Sequence, residues 1–132
     1  MYLSAPINEF FRPTITVTDG RAEVMLEVRP GFHHAAHALH GSVYFKSLDD
    51  AAFFAAQSQV PDVFVLTVTF NLILLKPVSE GVITAVGRLA HSSRNLYVAE
   101  SELRNGEGQL LARGSGTFIR GKTALDASVG YQ

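Results

Sequence analysis

The chain has 132 residues, enough for one domain with a sizeable core and too few for two ordinary domains. Hydrophobic residues make up 47% of it and charged residues 17%, which excludes the composition of a disordered protein. The net charge of −1 excludes a uniformly basic surface, so we expect neither nucleic acid nor a membrane among its partners.

The residue types also limit the cellular compartment and the kinds of functional site that we expect. The absence of cysteine excludes a disulfide framework, a thiolate nucleophile and a cysteine-ligated metal. The first 13 residues lack the basic leader and apolar run of a secretion signal. Asp49, Asp50 and Gln57 interrupt the most apolar stretch, which therefore does not resemble a membrane span. We expect a cytoplasmic protein.

The first half of the chain predicts a strand, a loop and one long helix. Apolar residues alternate over 22–28, as in a strand with one buried face. Residues 30–41 begin with Pro-Gly and carry four of the five histidines, which favours a loop. Residues 42–59 lack Gly and Pro and are rich in Ala and Phe, which predicts a helix with Ser42 as its N-cap. Because its apolar side chains cover most of its circumference, we expect other structure to wrap it.

The second half predicts four strands joined by tight turns. Residues 63–75 are dense in β-branched and aromatic side chains, and three further strands follow up to residue 120. Residues 121–132 lose the alternation, so we expect a frayed tail beyond a core of residues 15–120. The chain is therefore predicted to be a single α+β domain, residues 1–132. In this domain, a curved antiparallel sheet of five to six strands is expected to wrap around one central helix.

Two adjacent carboxylates in the helix are the most informative ionisable groups. Asp49 shares a helical face with Phe45 and Phe53, whereas Asp50 shares a more polar face with Lys46. We expect Asp49 to be the drier of the two, with burial raising its pKa so that it can act as a base. The alternative is a structural role. Lys46 and Asp50 are expected to form a solvated ion pair.

The start of the helix is a second candidate for chemistry. At His40, Gly41 and Ser42 the loop becomes helix, so backbone N–H groups there lack intrahelical partners and can bind a developing oxyanion. Gly41 and Asp49 are separated by roughly 12 Å of helix, too far to touch one carbonyl within one chain. If they act together, a second subunit must supply one of them.

Three segments resemble a known family: HGSVYFKSLDDAAFFAA, TVTFNLILLKPVSEG and GQLLARGSGTF. They are similar to the hotdog-fold acyl-CoA thioesterases of the phenylacetic-acid-pathway type, over roughly residues 20–120. The resemblance implies a hotdog fold, a carboxylate at Asp49 and an oxyanion donor at the Gly41 amide. His40 is the histidine of the family's motif, and Thr67 matches a hydroxyl that helps to position water.

The same resemblance implies the substrate contacts. Arg94 corresponds to a basic residue that touches the coenzyme A phosphates. Ser42 replaces the second glycine of the motif, and His34 and His37 replace an asparagine and a glycine of the loop. The residues expected to bind substrate are His34, Ser42, Phe45, Phe53 and Arg94.

The loop histidines allow a second interpretation. His33, His34, His37 and His40 have separations of three and four positions, which would suit a zinc site on a helical face. The Pro-Gly start argues against a helix there, the cluster holds no Cys, Asp or Glu, and the resembled family is metal-free. We therefore expect these histidines to orient the loop, with no metal.

The function expected is hydrolysis of acyl-CoA thioesters to free acid and coenzyme A, in a site at a homodimer interface. A dimer of dimers is expected to cover the remaining apolar strands. No cofactor is expected, since coenzyme A belongs to the substrate. Two alternatives stay open: a non-catalytic acyl-CoA binding module, and a hotdog hydratase or dehydratase.

Overall fold

The computed structural model of the protein describes residues 1–129. The helices are α1 (Pro6–Phe11) and α2 (Gly41–Gln57), and the strands are β1 (Thr14–Thr18), β2 (Arg21–Val28), β3 (Val63–Leu74), β4 (Gly81–Ser92), β5 (Tyr97–Arg104) and β6 (Leu110–Ala124). Short 3₁₀ turns occur at Pro30–Phe32 and Ala127–Val129. No helix within residues 1–129 has the length and hydropathy that crossing a membrane requires.

The strands form one antiparallel sheet in the order β1-β2-β4-β5-β6-β3. The long helix α2 packs across its concave face, and the alternating residues of β2 point their apolar side chains into the core between them. This is the α+β hotdog fold with one central helix, so the predicted fold is confirmed. Because β1 and β3 lie at the two edges, β3 has only β6 as a neighbour within residues 1–129.

Small residues let α2 lie unusually close to the sheet. Ala51, Ala52, Ala55 and Ala56 are all fully buried on the helix. Opposite them, a Cβ atom added at Gly87 of β4 would lie 2.2 Å from the Ala51 carbonyl oxygen. The helix backbone therefore rests directly on the strand, which only glycine permits at this position.

Buried polar side chains fix the helix against particular strands. The Gln57 amide donates to the carbonyl oxygens of Val60 and Val63 at 2.8 Å and accepts the N–H of Val65 at 2.9 Å. At the middle of α2, the Ser101 hydroxyl of β5 donates to the Leu48 carbonyl oxygen at 2.9 Å. The Gln57 bonds set the register of α2 against β3, the strand that carries Thr67, and the Ser101 bond ties the middle of α2 to β5.

The structure differs from the sequence prediction at four points. Helix α1 and strand β1 were not predicted. The helix α2 is capped by His40, not Ser42, because the His40 ring accepts the N–H of Ser42. Strand β6 continues to Ala124, since its last residue pairs with Val63 of β3. The final three residues of the expected frayed tail lie outside the described residues.

Gly87→Ala is expected to lower the free energy of unfolding by about 3 kcal/mol, because its methyl group would force α2 away from the sheet. Urea unfolding at one fixed protein concentration measures the change. The matched control is Gly106→Ala in the β5–β6 turn, where nothing lies within 4 Å of the added Cβ. Equal destabilisation by the two substitutions would contradict the packing argument.

Candidate active site

Asp49 lies on the face of α2 that packs toward β3. Its Oδ1 accepts a hydrogen bond from the Thr67 hydroxyl at 3.2 Å. Thr67 itself is exposed, because it belongs to the edge strand of the sheet. The structure thus brings together Asp49 and Thr67, two of the four residues predicted to be catalytic. In a single chain this part of the molecule is open to solvent.

The surroundings of Asp49 favour its protonated form. Burial raises the pKa of Asp49 to about 6, and the neighbouring charge of Asp50 adds to this rise. The hydrogen bond from Thr67 and the charge of Lys46 lower the pKa and offset part of the shift. A carboxylate with a pKa of about 6 accepts a proton more readily than an ordinary aspartate while staying largely ionised at neutral pH.

Asp50 is held by two donors and is not available for chemistry in the same way. Its Oδ2 accepts hydrogen bonds from the Tyr2 hydroxyl and the Lys46 ammonium, both at 2.7 Å. The expectation of a solvated Lys46–Asp50 pair is wrong, since their side chains are only 15% and 18% exposed. The reason is Tyr2, which covers the pair and whose ring lies 5.4 Å from the Lys46 nitrogen.

A cavity of about 480 Å³ opens beside the two aspartates. It is lined by residues of α2 and β3, by the segment before and within α1, and by Ser128. The members from α2 and β3 are Lys46, Asp49, Asp50, Phe53, Phe54, Phe64 and Thr67. A cavity of this size, mostly apolar and bordered by a carboxylate of raised pKa, has the properties of a substrate pocket.

The N-terminus of α2 presents one free donor. His40 Nδ1 accepts the Ser42 N–H at 3.0 Å and lies 2.8 Å from the Ser42 hydroxyl oxygen. Within residues 1–129 the Gly41 N–H donates to no group. A Cβ at Gly41 would meet only Leu74 Cδ1, at an ordinary 3.5 Å, so the fold does not require glycine here. Gly41 borders a second cavity, of about 320 Å³, together with His34.

The histidines of the preceding loop are engaged in local contacts. His33 Nε2 lies 2.8 Å from the Ser79 carbonyl oxygen, and His34 Nδ1 accepts the Ala36 N–H at 3.0 Å. His37 has a φ of 63° and is exposed. No group of three or more His, Cys, Asp or Glu side chains is placed to hold a metal ion in the described part of the chain.

The remaining predicted contacts are distributed over the molecule. Phe53 lines the Asp49 cavity and packs against Phe64, with ring centroids 5.4 Å apart. Phe45 is 39% exposed and meets Phe70 edge to face at 5.5 Å, outside that cavity. Arg94 is exposed in the β4–β5 turn.

Sequence reasoning missed the α1 side of the cavity, including Tyr2 and Asn8. A signal for α1 was present: Pro6 stands at the first helical position, and Glu9 lies in the first turn. Tyr2 has no such signal, because only the folded chain brings it to Asp50, 48 positions away.

Known structures share this architecture. A conserved protein of Pseudomonas aeruginosa is 26% identical with a TM-score of 0.83, covering 89% of this chain and 95% of that one. The PaaI protein of E. coli, from the phenylacetic acid degradation operon, is 21% identical with a TM-score of 0.86, covering 94% and 90%. A thioesterase of Haemophilus influenzae is 20% identical with a TM-score of 0.81, covering 89% and 84%. The last two likenesses show the fold alone.

A family model gives the stronger result. The model of the thioesterase superfamily matches residues 36–112, which is more than half of the chain and includes α2 with Gly41 and Asp49. The family expected from the sequence is thereby confirmed, and its reaction class is the hydrolysis of thioesters. This chain belongs to the thioesterase superfamily.

Proposed function

We propose that the protein hydrolyses acyl-CoA thioesters to a free acid and coenzyme A, in a site shared by two copies of the chain. The observation that carries this proposal is Asp49, whose carboxylate borders an apolar cavity and has a pKa raised to about 6. Such a group is suited to take a proton from water at neutral pH. The unpartnered Gly41 N–H supplies the second requirement, a donor for the carbonyl oxygen.

The separation of these two groups favours a dimer. Gly41 and Asp49 lie roughly 12 Å apart along α2, so one carbonyl cannot touch both in a single chain. Among the strands of the described residues, the edge strand β3 pairs on one side of its backbone and not on the other. Four of its apolar side chains and that of the next residue are at least half exposed, namely Leu66, Val68, Ile73, Leu74 and Leu75. Pairing of two β3 strands about a two-fold axis would cover them and set two α2 helices antiparallel.

In that dimer the reaction needs only water and the groups already named. The Gly41 N–H of the partner subunit binds the carbonyl oxygen, and Asp49 takes a proton from water as the water oxygen attacks the carbonyl carbon. The carbon–sulfur bond then breaks, and the coenzyme A sulfur leaves with the proton held by Asp49. A direct attack by Asp49, followed by hydrolysis of the anhydride, gives the same products. No further cofactor enters this balance.

Other residues orient these groups. Thr67 donates to Oδ1 of Asp49 and leaves Oδ2 of that carboxylate for the proton transfer. His40 caps α2 through Ser42, so the first turn holds its shape while the Gly41 N–H stays free. Both act in this proposal by positioning the groups that react.

The substrate contacts follow from the same arrangement. Phe53 lines the acyl cavity, and Phe45 lies on the face of α2 that a second copy would approach. His34 and Ser42 border the thioester near the start of α2, and the exposed Arg94 meets the coenzyme A phosphates. We also propose that two dimers associate, which light scattering can measure.

Asp49→Asn is expected to lower kcat for acyl-CoA hydrolysis by at least about 100-fold, because the amide cannot accept the proton of water. Asp50→Asn is the matched control and should keep most of the turnover, since Asp50 is engaged by Tyr2 and Lys46. Release of free thiol from a panel of acyl-CoA thioesters measures both. If Asp50→Asn loses activity and Asp49→Asn keeps it, the proton acceptor is Asp50 and not Asp49.

Two results with the unsubstituted protein would favour the alternatives. Saturable binding of acyl-CoA without thiol release across the panel would indicate a binding module. Hydration of an enoyl-CoA without thiol release would indicate a hydratase.

The rate of hydrolysis is expected to rise with pH through a midpoint near pH 6, because only ionised Asp49 can accept the proton. Asp50→Asn should move this midpoint to lower pH, since the Asp50 charge is one cause of the raised pKa. A profile of kcat/KM against pH tests both statements. A profile without a midpoint near pH 6, or a midpoint that Asp50→Asn leaves unchanged, would contradict these statements.

The raised pKa of Asp49 also predicts the stability of the Asp49→Asn variant. An aspartate with a folded-state pKa above its unfolded value contributes stability at low pH and loses it as the pH rises through about 6. Asp49→Asn should therefore have the higher Tm above pH 6, with the difference decreasing in acid. A variant that is inactive yet more stable is not an unfolded one.

Complementation between two inactive variants tests the shared site. Gly41→Pro removes the N–H at the first helical position, where proline is well tolerated, while Gly41→Ala keeps it and serves as the control. Mixing Gly41→Pro with Asp49→Asn under subunit exchange should restore about one quarter of the wild-type activity, since half of the dimers gain one intact site. No recovery in mixtures shown to exchange subunits would place both groups in one chain.

A further inference from the structure

One wall of the Asp49 cavity has no part in the reaction described above. Seven of residues 1–8 form it, and they line the cavity together with residues of α2 and β3. The lining members of this segment are Met1, Tyr2, Ser4, Ala5, Pro6, Ile7 and Asn8. This wall is built by a segment outside residues 36–112, the part that the family model matches.

Buried contacts hold the start of this segment in place. The Tyr2 ring meets Phe54 of α2 edge to face at 5.1 Å, and its hydroxyl donates to Asp50 at 2.7 Å. The Asn8 amide donates to the Tyr2 carbonyl oxygen at 2.8 Å. Tyr2 and Asn8 are only 9% and 5% exposed. The segment is therefore fixed to the helix that carries the aspartates.

A second set of contacts holds the end of α1. The Phe11 ring stacks on Phe32 at 5.1 Å, and the Arg29 guanidinium lies over the Phe32 ring at 4.5 Å. Arg29 also donates to the Phe10 carbonyl oxygen. Held at both ends, the segment forms a rigid boundary of the cavity.

Ile7 is the lining residue that can vary without disturbing these anchors. It is 55% exposed, is the second residue of α1 and borders the cavity. Leu3 is a similar aliphatic residue in the same segment and is 59% exposed, yet it does not line the cavity. Comparing substitutions at Ile7 with the same substitutions at Leu3 therefore separates an effect on the cavity from a general effect on the N-terminal segment.

We propose that residues 1–8 determine the size of the acyl group, and that Ile7 limits its length. This inference rests on the proposed function, because it takes the group beside Asp49 to be the acyl part of a thioester. The cavity of about 480 Å³ is in the range of whole ligands and much larger than an acetyl group requires. Its aromatic lining, with Phe53, Phe54 and Phe64, suits an acyl chain of several carbons.

The test compares kcat/KM along a series from acetyl-CoA to dodecanoyl-CoA. Ile7→Trp should narrow the cavity and reduce the ratio of long-chain to short-chain kcat/KM by about tenfold or more. Ile7→Ala should change the ratio in the opposite direction. Leu3→Trp and Leu3→Ala should leave it unchanged. A chain-length profile that both Ile7 variants leave unaltered, or that the Leu3 variants alter equally, would overturn the proposal.

A binding measurement keeps this test separate from that of the proposed function. Calorimetry with acyl-CoA analogues that carry a methylene between sulfur and carbonyl reports affinity without turnover. A dependence on chain length that Ile7→Trp shortens supports the inference even if the protein hydrolyses nothing, and in that case only the proposed function fails. Equal affinity of the wild-type protein and Ile7→Trp for all analogues overturns the inference, whether or not thioesters are hydrolysed. An absence of any binding overturns both.

Discussion

The close contact between α2 and the middle of the sheet is the constraint on which the rest of the structure depends. Gly87 and the buried alanines let the helix backbone touch β4, so no side-chain layer separates the two. The helix is thereby held at a fixed height, and Gln57 fixes its position along β3. Asp49 consequently reaches Thr67, a residue of the edge strand, although its own helix is at the centre of the fold.

The two adjacent aspartates show how position divides similar groups between different roles. Asp50 receives a phenol and an ammonium at 2.7 Å, so its charge is compensated, and burial raises the pKa of Tyr2 so that this phenol keeps its proton. Asp49 has one weaker donor, Thr67, and experiences both desolvation and the charge of Asp50. Asp50 thus anchors the N-terminal segment through Tyr2, whereas Asp49, whose charge is less compensated, keeps the capacity to exchange a proton.

Periodicity and residue type were sufficient to predict the parts of the fold that depend on local pattern. The alternation in β2, the apolar circumference of α2 and the face that carries Asp49 were all readable in this way. The site departed from prediction where distant segments meet. The burial of Lys46 and Asp50 depends on Tyr2, 48 positions away from Asp50, and a spacing rule within the helix cannot include it. The His40 cap was missed because histidine is not among the favoured capping residues.

The cavity beside Asp49 also brings together two distant parts of the chain, because Met1 and Ser128 both line it. A covalent linker between these regions would therefore run along the rim of the pocket. New termini could be opened at the exposed β5–β6 turn around Gly106, far from the aspartates in the chain. In such a circular permutant the segment that walls the cavity would be tethered on both sides, while α2 and the order of the strands in the sheet would be unchanged.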